Sequence, residues 1–427
     1  MNKNIIQALQ DWNPWEHREF PDSLAGFQRE VDLLSYLKMR EIKILEGARR
    51  VGKSTLLYQV IREVLKTSKE VLYINFDDEV LKGYSLSEVY HAYLQKGAVQ
   101  YLFIDEIQGC KEWTSFLKKL YDTKEVKQIW ISGSNSSLIK REYSSLLTGR
   151  NLSIKVHSLS FREFLDFHKV HYSSYGYSKK EEAHIQKLFQ QYVKFGAFPE
   201  LALQEVNQKE LLINYFEDFL YKDIVARFNV NSLKLRELCL FLASNVGKPL
   251  SYRNVAEMLS FNYDTVIDYL SYLKDVFLFR EVYAFDFSAK RTVIRDKKIY
   301  AIDTGLARAV SFEFSENIGR MLENVVFNEL VRRGHEVYFS KGKKECDFII
   351  KEGLKVTEAI QVCASLDKGE TKDREMAGLL EAMTQYKLQV GIILTEDEEG
   401  EEKVETLEGI VRVVIKPLWK WLLETKK

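Results

Sequence analysis

Between residues 30 and 155 the chain repeats one pattern, a short apolar run followed by apolar residues at helical spacing. The runs are EIKILEG, EVLYINF, VQYLFIDE, QIWISGS and NLSIKVHSL. Each is too short for a free helix and is apolar at successive positions. That pattern predicts strands of a parallel sheet buried on both faces, with helices covering it. From about 160 to 245 the strand runs stop. FREFLDFHKV, EEAHIQKLFQQYVKF and KELLINYFEDFLYKDIVARF have helical spacing, and KFGAFPE interrupts them with Gly196 and Pro199, a predicted turn. From about 235 to 300 the order is helix, Gly-Pro break, short helix, turn, longer helix and β-ribbon. Ser251 is placed to cap RNVAEML, and Asn262 or Asp264 to cap TVIDYLSYL. That order resembles a winged helix-turn-helix. Beyond about 315 a helix, NIGRMLENVVFNELVRRG, precedes strands HEVYFSK, ECDFIIKEG and KVTEAIQVCA, then another helix, a strand and a closing segment. This predicts a second α/β domain. The expected division is therefore a core at 1–160, a helical lid at 161–234, a winged helix at 235–300 and an α/β domain at 301–427.

Composition narrows the function classes. Among 427 residues, 62 Lys and Arg balance 62 Asp and Glu. A globally basic nucleic-acid binder and an acidic tail protein are both excluded, so any charged surface is local. The acidic stretch EDEEGEEKVETLE reads as a solvated hairpin tip. The four cysteines, Cys110, Cys239, Cys346 and Cys363, form no CxxC pair, which fits neither a disulfide framework nor a zinc site. The N-terminus shows no signal-peptide pattern and no long apolar run occurs, so a cytoplasmic protein with no membrane partner is expected.

The chemistry concentrates in GARRVGKS, which satisfies GxxxxGK[ST] between a strand and an amphipathic helix. Gly47, Ala48, Arg49, Arg50, Val51 and Gly52 form a loop whose N–H groups turn inward onto phosphates. Lys53 is placed to reach the β- and γ-phosphates of ATP. Ser54 or its neighbour Thr55 supplies a hydroxyl to Mg²⁺. VQYLFIDE then ends in an acidic pair. Asp105 is the expected Mg²⁺ partner, and Glu106 the general base that polarises the attacking water. Ser134 or Asn135, ending the next strand, is expected beside the γ-phosphate. Arg150 in LLTGR is expected to reach that phosphate within the chain or across a subunit boundary.

With these segments in hand, the chain resembles the prokaryotic AAA-type ATPases that carry a C-terminal nuclease-like domain of unknown function. GARRVGKST, YLFIDEIQ, ISGSNSSLI, LLTGR, HSLSFREFL, KFGAFPE, YAIDTGL, RMLENVVFNEL, ECDFIIKEG and IQVCASL carry the resemblance. It implies a P-loop ATPase core, a helical lid, a winged helix and a domain like the PD-(D/E)xK nucleases. In that fold a helix Glu, a strand Asp and a (D/E)xK hold Mg²⁺ and place a lysine. Glu323 and Asp347 match the first two, but Gln361 and Cys363 stand where acid and lysine belong, with Glu345 or Glu358 as partial compensation. The expectation is a nuclease-like domain that does not cut.

Partners divide two ways. DTVIDYLSYLKDV, the expected recognition helix, is acidic and poorly suited to DNA. The better basic patch is AKRTVIRDKKIY, with Lys290, Arg291, Arg295, Lys297 and Lys298. It reads as a solvated strand edge guarded by charges, or else as a nucleic-acid contact. One reading is an ATPase that acts on DNA or RNA. The other is a nucleotide-controlled scaffold that binds a protein or its own copies, and a third is a nuclease gated by ATP.

Overall fold

A computed structural model describes every residue except 1, 135–146, 173–175, 205, 295, 312–317, 368, 407–408 and 425–427. The chain divides into two compact units, Met1–His157 with Asp275–Phe277, and Ser158–Lys274 with Leu278–Lys427.

In the first unit the predicted alternation of strands and helices is present. The strands are β1 (Ile42–Glu46), β2 (Val71–Asn75), β3 (Tyr101–Asp105), β4 (Gln128–Gly133) and β5 (Asn151–Lys155). They form one sheet in the order β2-β3-β4-β1-β5, with every neighbouring pair parallel. Among the described residues its α-helices are α1 (Asn2–Trp12), α2 (Asp22–Ala25), α3 (Lys53–Leu65), α4 (Leu86–Leu94) and α5 (Trp113–Thr123). All five residues of β1 are buried, as a central strand covered on both faces requires. The outer edge at β2 is closed by a side chain. Buried Asn13 accepts from the Tyr73 N–H at 2.8 Å and donates to the Tyr73 carbonyl at 2.8 Å, as a neighbouring strand would.

The second unit opens with helices α6 (Phe161–Phe167), α7 (Lys179–Phe195), α8 (Pro199–Ala202) and α9 (Gln208–Glu217), the last running into a π-helical stretch, Asp218–Val225. Ser160 and Ser178 start α6 and α7 with reciprocal Ser–Glu capping boxes. Then come α10 (Ser232–Ser244), β6 (Pro249–Leu250), α11 (Tyr252–Leu259), α12 (Tyr263–Asp275), β7 (Phe279–Tyr283), α13 (Ala289–Ile294) and β8 (Lys297–Ala301). Ser251 caps α11 through the Asn254 N–H, and the three short strands make an antiparallel sheet ordered β6-β8-β7. After α14 (Thr304–Val310) and α15 (Ile318–Arg332) come β9 (Glu336–Lys341), β10 (Glu345–Glu352), β11 (Lys355–Val362), α16 (Gly369–Tyr386), β12 (Val390–Thr395), β13 (Gly400–Thr406), β14 (Gly409–Pro417) and α17 (Leu418–Leu423). The six strands are ordered β13-β14-β12-β11-β10-β9. β11, β12 and β14 run parallel, and the outer pairs are antiparallel. A parallel step needs a crossover, which α16 supplies between β11 and β12. Residues 396–406 of the acidic stretch form a loop and the edge strand β13.

Two sequence motifs meet in this unit. Gly196 ends α7 at φ +83, and a Cβ there would overlap the Asp303 carboxylate. Asp303 caps α14 through the Leu306 N–H at 3.0 Å and accepts from the Ala197 N–H at 2.6 Å. KFGAFPE and YAIDTGL are thus two sides of one buried hydrogen-bonded joint. Among the described residues no helix is long and apolar enough to cross a membrane.

Candidate functional site

The carboxyl ends of β1, β3 and β4 converge on the loop 47–52. A Cβ on Gly47 would run into the Val156 carbonyl, so the loop passes β5 only because position 47 carries no side chain. Arg50 at φ 65 and Gly52 at φ 93 are both left-handed, which turns the chain sharply into α3. Ala48 and Val51 are fully buried. Buried Arg29 braces the loop from behind, donating to the Val51 carbonyl at 2.8 Å and the His157 carbonyl at 3.0 Å.

Lys53, first in α3, turns its ammonium back over the loop. It donates to the Gly47 and Ala48 carbonyls at 3.1 and 2.8 Å, and lies 3.9 Å from Glu106. Ser54 hydrogen-bonds to Asp105, whereas the methyl of Thr55 faces Gly26. Asp105 is buried at the end of β3. It accepts from the Tyr73 hydroxyl at 2.7 Å, from the Ser132 hydroxyl and from the Glu106 N–H at 3.2 Å. Burial first, then the Glu106 charge, pushes its carboxyl above the ordinary value. Glu106 shows the opposite balance. Burial opposes its charge, but Lys53, Gln108 and Arg49 outweigh burial and hold it below the ordinary value.

Gln108 joins the last predicted residue to this group. Its amide donates to the Glu106 carboxylate and to the Ser134 hydroxyl at 3.1 Å, so Ser134, buried at the end of β4, reaches the base. The Gln108 Oε1 is buried without a partner. Arg49 lies 3.9 Å from Asp77. Asn135 lies outside the described residues.

Arg150 is not brought to this end of the sheet. Its carbonyl accepts from the N–H of Ile42, the first residue of β1, and its guanidinium bonds to Asp122 at 2.9 Å. The phosphate loop leaves the other end of β1, roughly 16 Å away at about 3.3 Å per residue. Contact with the phosphate within one chain is therefore corrected: parallel strands put the residue before β5 at the amino ends and the loop after β1 at the carboxyl ends. Sequence reasoning missed Arg29, Tyr73, Gln108 and Ser132. The spacing of Gln108, two residues beyond Glu106, was the one local signal available.

The residues present suit ATP with Mg²⁺. Ser54 and Asp105 offer adjoining oxygen donors, the hard-ligand chemistry Mg²⁺ takes. A side chain at Gly47 would close the space against Val156 that the loop uses.

A second polar cluster lies in the other unit, beside a cavity of about 950 Å³ lined by Arg320, Glu323, Asp347, Gln361, Cys363 and Arg374, among others. Glu323 and Asp347 do come together, but around Lys298, and Gln361 joins them only through the Asp347 N–H. The Lys298 ammonium lies 2.8 Å from Glu323, 2.8 Å from Glu345 and 3.1 Å from Asp347. The solvated strand edge expected for Lys298 is corrected, because its side chain is only 1% exposed. Lys297 does take an outer position, over the Tyr252 ring. The Cys363 thiol is pushed up to about 12, by burial first and then by Glu375.

Residues 39–165 match the family described as AAA domain, and residues 186–317 match a domain of unknown function (DUF8612). Over 406 residues the chain is 36% identical to the uncharacterized protein MJ1544 of Methanocaldococcus jannaschii, covering 90% of this chain and 88% of that one. It is 30% identical over 385 residues to an uncharacterized protein of Haemophilus influenzae, covering 86% and 93%. Among solved structures, the Aeropyrum pernix ORC1 protein in complex with DNA overlaps 73% of this chain and 92% of its own, at 12% identity and a TM-score of 0.30.

Proposed function

Because this chain belongs to the family of the Methanocaldococcus jannaschii protein MJ1544, with a P-loop AAA-type domain at its head, we propose that it hydrolyses ATP and couples nucleotide state to nucleic-acid binding. The observation that carries the hydrolytic part is the convergence of Lys53, Ser54, Asp105 and Glu106 from two strand ends. The loop N–H groups and Lys53 hold the phosphates. Ser54 and Asp105 hold Mg²⁺, which when bound supplies positive charge against the phosphate oxygens. Glu106, kept ionised by Lys53, accepts the proton of the attacking water. Gln108 fixes the Glu106 rotamer and links it to Ser134. Arg150, distant from the loop of its own chain, serves the phosphate of a neighbouring copy across a subunit boundary.

Support for the nucleic-acid half is a matter of element order. Helix α10, β6, α11, α12, β7 and β8, with a sheet ordered β6-β8-β7, follow the sequence of a winged helix. Lys290, Arg291 and Lys297 lie between or on its last two strands. One observation favours a protein partner instead. Met258, Tyr263 and Ile267, at the junction of α11 and α12, are 70, 46 and 37% exposed, which is apolar for a groove reader. The test is ATP turnover of the full chain with single strands, duplex or no nucleic acid. Stimulation by nucleic acid supports the first reading, and unchanged turnover transfers the unit to a protein partner. Lys53→Ala removes the phosphate-facing cation and is expected to abolish tight ATP binding.

A further inference from the structure

Resemblance to metal-dependent nucleases implies a divalent ion among Glu323, Asp347 and the strand β11. The donor set does not fit one. Glu323 Oε1 already receives Lys298 and the Tyr300 hydroxyl at 2.5 Å. Asp347 Oδ1 receives Lys298 at 3.1 Å, and its Oδ2 receives the Val362 N–H at 3.0 Å. Glu345 Oε1 pairs with Lys298 at 2.8 Å. Gln361 is also spent. Its oxygen accepts from the Asp347 N–H at 3.2 Å, and its amide donates to Glu375. The separations of 2.8–3.1 Å suit N–H···O bonds, whereas Mg²⁺ requires oxygens at about 2.0–2.1 Å and Ca²⁺ at about 2.3–2.6 Å. Among the described residues no group of His, Cys, Asp and Glu is set to hold a metal.

We propose that the Lys298 ammonium is the resident cation of this cluster, standing where a divalent ion would otherwise bridge Glu323, Glu345 and Asp347. Three carboxylates and one tethered cation are the charge pattern of a metal site with the metal replaced by a side chain. The ammonium donates to Glu323 and Asp347 and holds the third carboxylate, Glu345, at ion-pair distance, 2.8 Å away, so all three charges face the one cation. Lys298 reaches the cluster from β8, Glu323 from α15, and Glu345 and Asp347 from β10, so one side chain ties three elements together. Being covalently held, it cannot be chelated away, and it supplies neither an exchangeable coordination position nor a metal-activated water. The cluster is therefore a structural and electrostatic centre that keeps this unit from hydrolysing phosphodiesters by metal chemistry. The inference is independent of ATP hydrolysis in the other unit.

The test is Mn²⁺ binding, followed by electron paramagnetic resonance, to the nucleotide-free full chain. All proteins carry Ser54→Ala to silence the phosphate-loop site. With Lys298 present, Mn²⁺ uptake should be the same with and without Asp347→Asn. Lys298→Met, close in length but uncharged, should gain one Mn²⁺ per chain, at least about tenfold tighter than the parent. That gain should vanish when Asp347→Asn is added, and Mn²⁺ should raise the melting temperature of Lys298→Met alone. Stoichiometric Mn²⁺ on the parent that is lost in Asp347→Asn overturns the proposal, as does a folded Lys298→Met that gains none. If Lys298→Met fails to fold in chelator, adding Glu323→Gln and Asp347→Asn should restore folding by removing the uncompensated charge. Failure of that variant makes Lys298 a packing residue and overturns the assignment.

Discussion

Replacing Glu106 by Gln removes one base and one charge while keeping the shape of the side chain. Gln108 still finds an oxygen to donate to, so the geometry around Ser134 should persist. The lost charge sits 3.9 Å from Lys53. At an effective dielectric near 20, that pair is worth about 4 kcal/mol of Coulomb energy before solvation is counted. ATP brings its own negative charges to the same ammonium, so losing a competing carboxylate favours nucleotide. ATP affinity should hold or tighten by up to about tenfold. Turnover should fall by about 10²–10⁴, or about 3–5 kcal/mol of barrier, because an amide cannot take the water's proton. The wild-type pH profile follows from the same neighbours. Lys53, Gln108 and Arg49 outweigh burial and hold the Glu106 carboxyl below the ordinary value, so it is ionised throughout the neutral range. Its contribution to turnover should therefore show no acid limb between about pH 6 and 8. The assay pairs phosphate release with a fluorescent-nucleotide titration. A Gln variant that turns over within about threefold of wild type, or that loses binding in step with turnover, refutes Glu106 as the base.

Three further outcomes are expected. Arg150→Ala should lower turnover at least about tenfold with little change in ATP affinity, and mixing it with Glu106→Gln should restore some activity if the arginine serves a neighbouring copy. Unchanged turnover makes Arg150 a surface residue. Arg29→Met strips the buried Val51 carbonyl of the loop and the half-buried His157 carbonyl beyond β5 of their donor and should cost about 2–4 kcal/mol in urea unfolding, together with weaker ATP binding. A loss confined to stability shows that the brace does not shape the loop. The Asp303 carboxyl is raised by burial from 3.8 to about 6, so the folded chain holds this proton more tightly than the unfolded one. Its stabilising share is complete below pH 3.8 and is lost as pH rises through about 6. Wild type should therefore lose more stability than Asp303→Asn between pH 4.5 and 7, by about 2 kcal/mol, and parallel pH profiles would contradict that.

The chemistry legible in the sequence is the chemistry that depends on near neighbours. GARRVGKS specifies its own loop because Gly47 and Gly52 supply the room and the left-handed turn within six residues of Lys53. Likewise a buried run ending in Asp-Glu predicts β3 and its acidic end, and Ser251 ahead of RNVAEML predicts the start of α11. What only the tertiary structure decided is how distant segments meet. Arg29 braces a loop through His157, 128 residues away, and Gln108 joins Glu106 to Ser134 on another strand. Arg150 follows β4 in sequence, yet parallel strands send it to the far end of the sheet. Lys298 is the clearest case. In AKRTVIRDKKIY it is one cation among several, with nothing local to separate it from Lys297 beside it. On a strand, adjacent side chains take opposite faces, so one lysine lies over Tyr252 and the other enters a pocket of carboxylates 25 and more residues away. Charge and periodicity show that a lysine is on a strand. Only the fold supplies the partners that make its burial affordable, because desolvating an ammonium is unfavourable until opposite charges surround it.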